Sequence, residues 1–402
     1  MDGLVRMGPD DLGWGGASPE RPRRLAALVG AALLLLLQPA LGQAPDLLWE
    51  KAFGGPGEER GISLQETADG GIIVAGYTNS RGSGGRDLWL VKTDSEGELE
   101  WDRTIGGPGD EEGWAVLEVE DGYVVAGVSS SGEGGGRDLL LLKTYSDGYE
   151  RWSKTFGGPG DDWGVALVRT EGGYLVAGST TSRGSGGSDG WILLADPDGN
   201  PDWELAIGGS KNDGLSSILE VADGYVAVGT TESYGGGGKD VWLVKTDREG
   251  GRIWEKTFGK GGDERGNSVL KVADGYLIVG TTASEGSSGR DLLLLKTDLQ
   301  GEKVWEETMG GPGEDGGWQA LEAGGGLVVV GYTRGAADQD VWLLSVSSAG
   351  EKVWDATFGG PGFDLGRAIV PTGDGAMAMT GWTESRGSGG QDLWLGKTEA
   401  VD

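Results

Sequence analysis

Neither cysteine nor histidine occurs anywhere in the 402 residues. Their absence excludes disulfide cross-links, thiolate or imidazole metal centres, haem held by either residue, and a serine or cysteine nucleophile activated by histidine. Catalysis would fall to carboxylates, hydroxyls, lysine or a borrowed cofactor. Positive charge is also scarce: 33 Lys and Arg face 64 Asp and Glu, a net charge of −31. Such a polyanion repels DNA and RNA, which argues against nucleic-acid partners and favours cations or basic partners.

Long apolar runs are missing too. Leu25 to Leu37 is apolar over 13 residues, short of the ~20 needed to span a bilayer. Arg21, Arg23 and Arg24 precede it, and Gln38-Pro39-Ala40-Leu41-Gly42-Gln43-Ala44 follows. That order predicts a cleaved export signal with cutting after Gly42 or Ala44, a secreted or cell-envelope location, and no membrane span after cleavage. Residues 1–45 are therefore set aside as signal and N-terminal extension.

What is abundant is glycine, 83 residues, and tryptophan, 17. The glycines follow no three-residue period, so collagen is excluded, and the pairing suits short strands joined by tight turns. A tryptophan recurs at 49, 101, 152, 203, 254, 305 and 354, at spacings of 52, 51, 51, 51, 51 and 49. Within one period, GISLQET (61–67), GIIVAGYT (71–78), DLWLVKTD (87–94) and ELEWDRTIG (98–106) read as strands. Asp69-Gly70 and Ser95-Glu96-Gly97 mark tight hairpins between them. Four short antiparallel strands per unit make a blade, and seven units make an all-β, seven-bladed β-propeller over residues 46–398, with 399–402 as a tail. The seventh unit ends at Thr398 without its fourth strand, and DLLWEKAFG (46–54) is a fourth strand without a preceding three. The two should pair and close the ring, which removes exposed sheet edges.

Features present in all seven copies read first as structural. The fourth-strand tryptophans are expected to pack between blades. At about 150–250 Å² per ring and ~25 cal/mol per Å², each would contribute up to roughly 4–6 kcal/mol. Asp87, Asp138, Asp189, Asp240, Asp291, Asp340 and Asp392 open the third strands and should fix the exit of the glycine-rich loops. Small residues at one first-strand position (Ser63, Ala115, Ala166, Ser217, Ser268 and Ala368, with Gln319 the exception) suit the narrow inner end of each blade.

Because both hairpins lie on one face, the glycine-rich loops and inter-blade turns share the other, where binding is expected. Every inter-blade turn carries one carboxylate at the same place: Glu59, Glu111, Asp162, Asp213, Glu264, Asp315 and Asp364. These acids cap their turns or bind Ca²⁺; the pattern overlaps the GGxGxD of calcium-binding nonapeptide repeats, but Ca²⁺ takes six to eight oxygens and the next copy is about 51 residues away. Departures from the repeat are the other candidates. Trp114, Trp163 and Trp318 near the start of three first strands could stack on a sugar or anchor a protein; Tyr234 and Phe363 are similar irregularities.

The string W-x-K-T-F-G-G-x-G, D-G-Y-x-V-x-G-x-T, D-x-W-L-x-K-T-D-x-x-G, clean across Trp254 to Gly301, resembles the propeller-like repeats of exported bacterial and archaeal proteins of mostly unknown function. A fainter similarity, carried by Asp94 to Trp101, is to quinoprotein repeats; the Thr of that motif is missing here and its Asp-to-Gly spacing is one residue shorter. The resemblance implies a fold rather than an activity. The uniform repeats lead to a non-catalytic extracellular or envelope-associated scaffold, a monomer without cofactor that binds a protein or carbohydrate on its long-loop face. A carboxylate-dependent glycoside hydrolase and a cation-stabilised cell-surface module are the alternatives.

Overall fold

The third strands show how this sequence builds its ring. In DLWLVKT, successive side chains point to opposite faces of a sheet, yet all seven residues are buried. Leu88 and Leu90 join one apolar cluster with Val116, Val125 and Leu140 of the following unit. Trp89 and Val91 join another with Ala378, Leu393 and Leu395 of the last unit. A strand buried on both faces must sit between two neighbouring sheets, and this arrangement repeats around the molecule.

The computed structural model describes residues 42–132, 135–283, 289–335 and 338–401. The expected export signal lies outside them, apart from the candidate cleavage sites at 42 and 44. The described residues form 28 strands, from β1 (Leu47–Phe53) to β28 (Asp392–Thr398), in seven four-stranded sheets. Blade one is β2 (Glu59–Glu66), β3 (Ile72–Thr78), β4 (Asp87–Thr93) and β5 (Leu99–Ile105), in that order from the axis outwards. Blade seven joins β26 (Asp364–Pro371), β27 (Met377–Thr383) and β28 to β1. β1 runs antiparallel to β28, with Glu50 opposite Gly396 and Phe53 opposite Leu393. The chain is thus a seven-bladed β-propeller closed by its N-terminal strand. Seven separate apolar clusters fill the seven gaps between blades.

All seven fourth-strand tryptophans pack against the clusters between blades, as the sequence predicts, but most are less deeply buried than a full inter-blade ring would be. Of the fourth-strand residues, Trp354 is buried, whereas Trp49, Trp101, Trp152, Trp203, Trp254 and Trp305 are half-buried. Their rings lie against the hairpin glycine of the next blade: Trp49 covers Gly97 and Trp101 covers Gly148, so a Cβ there would strike the indole. The fully enclosed indoles are on the third strands, at Trp89, Trp191, Trp242, Trp342 and Trp394. An outer strand has a neighbour on one side only, so its ring keeps an exposed edge except at Trp354, which is as buried as Trp342.

Third-strand lysines add a second lock. Lys92, Lys143, Lys245, Lys296 and Lys397 are buried and bridge to the hairpin residues Asp69, Asp121, Asp223, Asp274 and Asp374 at 2.5–3.0 Å. In blade three the lysine position is Leu194 and the aspartate position Gly172; in blade six they are Ser345 and Gly325. Where one partner is gone, so is the other, as expected when an unpaired buried charge is costly.

Candidate functional site

Each innermost strand carries a bulge. In blade one Gly61 pairs with Gly76 and Ser63 with Ala75, so Ile62 has no partner. The residues at this position in the seven blades are Ile62, Trp114, Val165, Ser216, Asn267, Trp318 and Arg367. A bulge breaks the in-out alternation and re-aims one side chain. All seven line the central channel, which encloses about 290 Å³. The backbone repeats here while the chemistry does not: apolar, aromatic, hydroxyl, amide and cationic groups stand in one ring.

Residues one step along the strand tie the ring together. Ser63 Oγ accepts the Val116 N–H at 3.2 Å, Ser217 Oγ that of Val269 at 3.3 Å, and Gln319 Oε1 that of Ile369 at 3.0 Å. Gln319 therefore does the work of a serine with a longer reach.

The three candidate tryptophans do not share one position. Trp114 and Trp318 are bulge residues facing the channel. Trp163 precedes its bulge and meets the edge of Trp114 at 6.2 Å between ring centres. All three are half-buried rather than exposed. The Trp318 face is covered by the Arg367 guanidinium at 4.0 Å, and Trp163 carries Arg137 at 4.9 Å. Tyr234 donates its hydroxyl to Gly208 O at 2.7 Å as a loop pin, whereas Phe363 remains exposed.

Arginine is the residue the sequence reading missed. Arg60, Arg265 and Arg367 stand on innermost strands toward the loop face, and among the described residues none has a carboxylate within bridging distance. Arg60 lies over Trp382 at 4.4 Å and donates Nε to Gln391 at 2.7 Å. The Arg265 Nε is buried without a partner. Arg367 is pushed down to about 10 by burial, with no charged neighbour to offset it. None of the side chains bounding the channel is acidic, which sets the channel apart in a chain of net charge −31.

The turn carboxylates are used differently. Glu59, Glu111, Asp162, Asp213, Glu264, Asp315 and Asp364 are all buried. Each accepts the backbone N–H four residues earlier at 2.6–3.0 Å. Each also accepts a Ser or Thr hydroxyl at the end of its second strand or just beyond. The acid that opens each third strand stands close to the turn acid of the next blade: a Cβ on Gly106 would strike Asp87 Oδ1 and lie 2.7 Å from Glu111 Oε2. Among the described residues no group of three or more Asp or Glu gathers as a metal cage.

These buried acids shape the pH response. Burial raises Asp87, Asp138, Asp189, Asp240, Asp340 and Asp392 above the ordinary carboxylate value, and for all but Asp240 a nearby acid adds to the rise. A carboxyl that holds its proton more tightly when folded gains stability as pH falls from neutral toward the unfolded value. Asp69 and Asp374 are lowered to about 2, so their contribution is lost only as pH drops below about 4. The raised acids should therefore add to the melting temperature as pH falls from neutral toward about 4, and the lowered acids should subtract from it below about 4. Asp87→Asn should raise it at pH 7 and shrink the acid gain; a steady decline from pH 7 to 5 would contradict this.

A larger cavity, about 470 Å³, opens on the hairpin face between blades five and six, where Leu327 replaces the tyrosine found at that position in four of the blades. Lys296 and Asp274 on its wall pair with each other, and Glu322 also lines it.

No protein-family model matches the chain. It is similar to the regulatory protein FlaEY of Caulobacter vibrioides, 27% identical over 201 residues, which cover 42% of this chain and 21% of that protein. The match thus spans about a fifth of the relative's length. Among solved structures the chain is similar to BBS1N in its complex with ARL6DN (11% identity, 87% of this chain and 96% of that one, TM-score 0.50). It is also similar to a protein of unknown function from Dyadobacter fermentans (11%, 88% and 98%, TM-score 0.49). A third likeness is to the β-propeller domain of the trilobed protease from Pyrococcus furiosus (12%, 90% and 97%, TM-score 0.46). Identity this low speaks to fold alone. No helix among the described residues is long and apolar enough to cross a membrane.

Proposed function

We propose that this protein is an exported, non-catalytic binding scaffold that takes an anionic protein or glycan ligand on its loop-bearing face, at the mouth of the central channel. The observation that carries this reading is Arg367 in the channel lining, with Arg60 and Arg265 on innermost strands toward the loop face, all three without a carboxylate bridge among the described residues of a strongly acidic chain. Guanidinium groups held beside aromatic rings are pre-oriented donors for carboxylate or sulfate. The body's negative charge makes the contact selective, since an anion is repelled everywhere except where the channel opens. The near-equivalence of the seven carboxylate pairs supports binding over hydrolysis, because no blade holds a distinct acid and base.

Binding to immobilised polygalacturonate and to neutral dextran tests the reading. The acidic polymer should bind without release of reducing ends and weaken as salt rises. The double variant Arg60→Ala, Arg265→Ala should bind at least about tenfold more weakly, as expected for loss of charged hydrogen bonds. Equal retention of dextran, or an unaffected double variant, would remove the support.

A further inference from the structure

We infer that the channel itself is a binding site for a small hydroxylated monocarboxylate, of the sugar-acid class, with Arg367 as its counter-ion. The inference rests on the anionic-ligand reading above and narrows it to one pocket and one chemistry.

Charge comes first. Arg367 is half-buried in the channel lining, lies over the face of Trp318 at 4.0 Å, and has no carboxylate bridge among the described residues. Leaving a partly desolvated guanidinium without an anion is unfavourable, so a carboxylate arriving there relieves a cost already present in the free protein. Its planar fork matches the two oxygens of a carboxylate, and stacking on Trp318 fixes the plane of that fork. One unbridged cation suits one negative charge, whereas a phosphate dianion would call for more.

Size and lining narrow the class further. The channel encloses about 290 Å³, at the small end of the ~300–1,000 Å³ usual for ligand pockets, so the occupant is nearer a single ring than a chain. Ser216 and Ser268 line the same space as Asn267 and Trp114. Asn267 Nδ2 is held by Gly317 O at 2.7 Å, which leaves its carbonyl oxygen as an acceptor for ligand hydroxyls. A purely apolar acid would leave those polar groups without partners, while a sugar acid satisfies them.

Tryptophan fluorescence of the full chain, titrated with sodium glucuronate, glucose or sodium phosphate at matched ionic strength, tests the assignment, with melting temperature read in parallel. Glucuronate should saturate and raise the melting temperature, while glucose and phosphate bind at least about tenfold more weakly, a margin set by a charged hydrogen bond. Arg367→Gln should lose that preference with the fold intact. Should Arg367→Gln fail to fold, Ser216→Phe decides, because it fills the channel and leaves the arginine in place; it should abolish glucuronate binding. Glucuronate binding no tighter than glucose or phosphate, or affinity within about twofold of wild type in the folded variants, would overturn the inference. If polygalacturonate still binds in that case, the channel site alone falls; if neither acid binds, the broader reading falls with it.

Discussion

Deleting Leu47–Phe53 should unfold the ring rather than merely shorten it. Without β1, the fully buried strand β28 becomes a bare edge at the one place where the two chain ends meet. Leu47, Trp49 and Phe53 also leave the clusters that join blade seven to its neighbours. At roughly 2 kcal/mol for each large side chain, these three remove about 6 kcal/mol before any ladder bond is counted. For a large domain, ~2–4 °C per kcal/mol turns that into a fall of about 12–24 °C in melting temperature, with aggregation through the open edge. A synthetic peptide spanning residues 42–54 should restore much of the loss when added in trans. A truncated chain melting within about 3 °C of the full one would show that closure carries little.

The second large effect separates the two tryptophan layers. Trp242 is fully enclosed among Leu175, Ala177 and Ile192 and donates its indole N–H to Glu255 at 3.3 Å. Trp242→Ala should cost about 3–5 kcal/mol, the range for emptying a buried aromatic site. Trp254, half-buried on the outer strand of the same blade and lying against Gly301, should cost less than half as much. Urea unfolding of the two variants checks this; equal losses, or a larger loss at Trp254, would contradict the assignment of the structural layer to the third strands.

The fourth-strand tryptophans do pack between blades, as their spacing predicts, but how deeply each ring is buried was not legible. The fourth-strand tryptophan is invariant across the seven copies, and its spacing counts the blades, but a period does not say on which side of a sheet a ring will lie. Burial depends on the number of neighbouring strands, which is a property of sheet order. Blade number, strand content, ring closure and the loop-bearing face were legible because each follows from spacing, turn residues and the orphan strand at 46–54. The lysine and aspartate locks were legible in principle, since Leu194 with Gly172 and Ser345 with Gly325 vary together between copies.

The channel was harder to read. A bulge adds one residue without leaving a mark in hydrophobic alternation, so the position holding Ile62, Ser216 and Arg367 looks like any other variable site. Trp114 and Trp318 drew attention through size, and Trp163 was grouped with them although it stands two positions earlier. Arg367 occupies the same position as Trp114 and Trp318; aligning the copies on the residue before each bulge, a glycine in every blade but the fourth, would have brought it out. The turn carboxylates were legible as a ring, but their use in capping depends on hydroxyls about 20 residues away that meet them only after the second strand folds back.

All of the chemistry at the channel depends on seven inner strands meeting around one axis, and hydrogen exchange followed by mass spectrometry measures this most directly. In the full chain, the amides of residues 48–53 and 393–397 should exchange as slowly as those of a central pair such as Ala227 and Val244, and should be released together only on global unfolding. Exchange of residues 48–53 within seconds, while the central strands stay protected for hours, would mean that the N-terminal strand is not part of the last blade and that the ring is open.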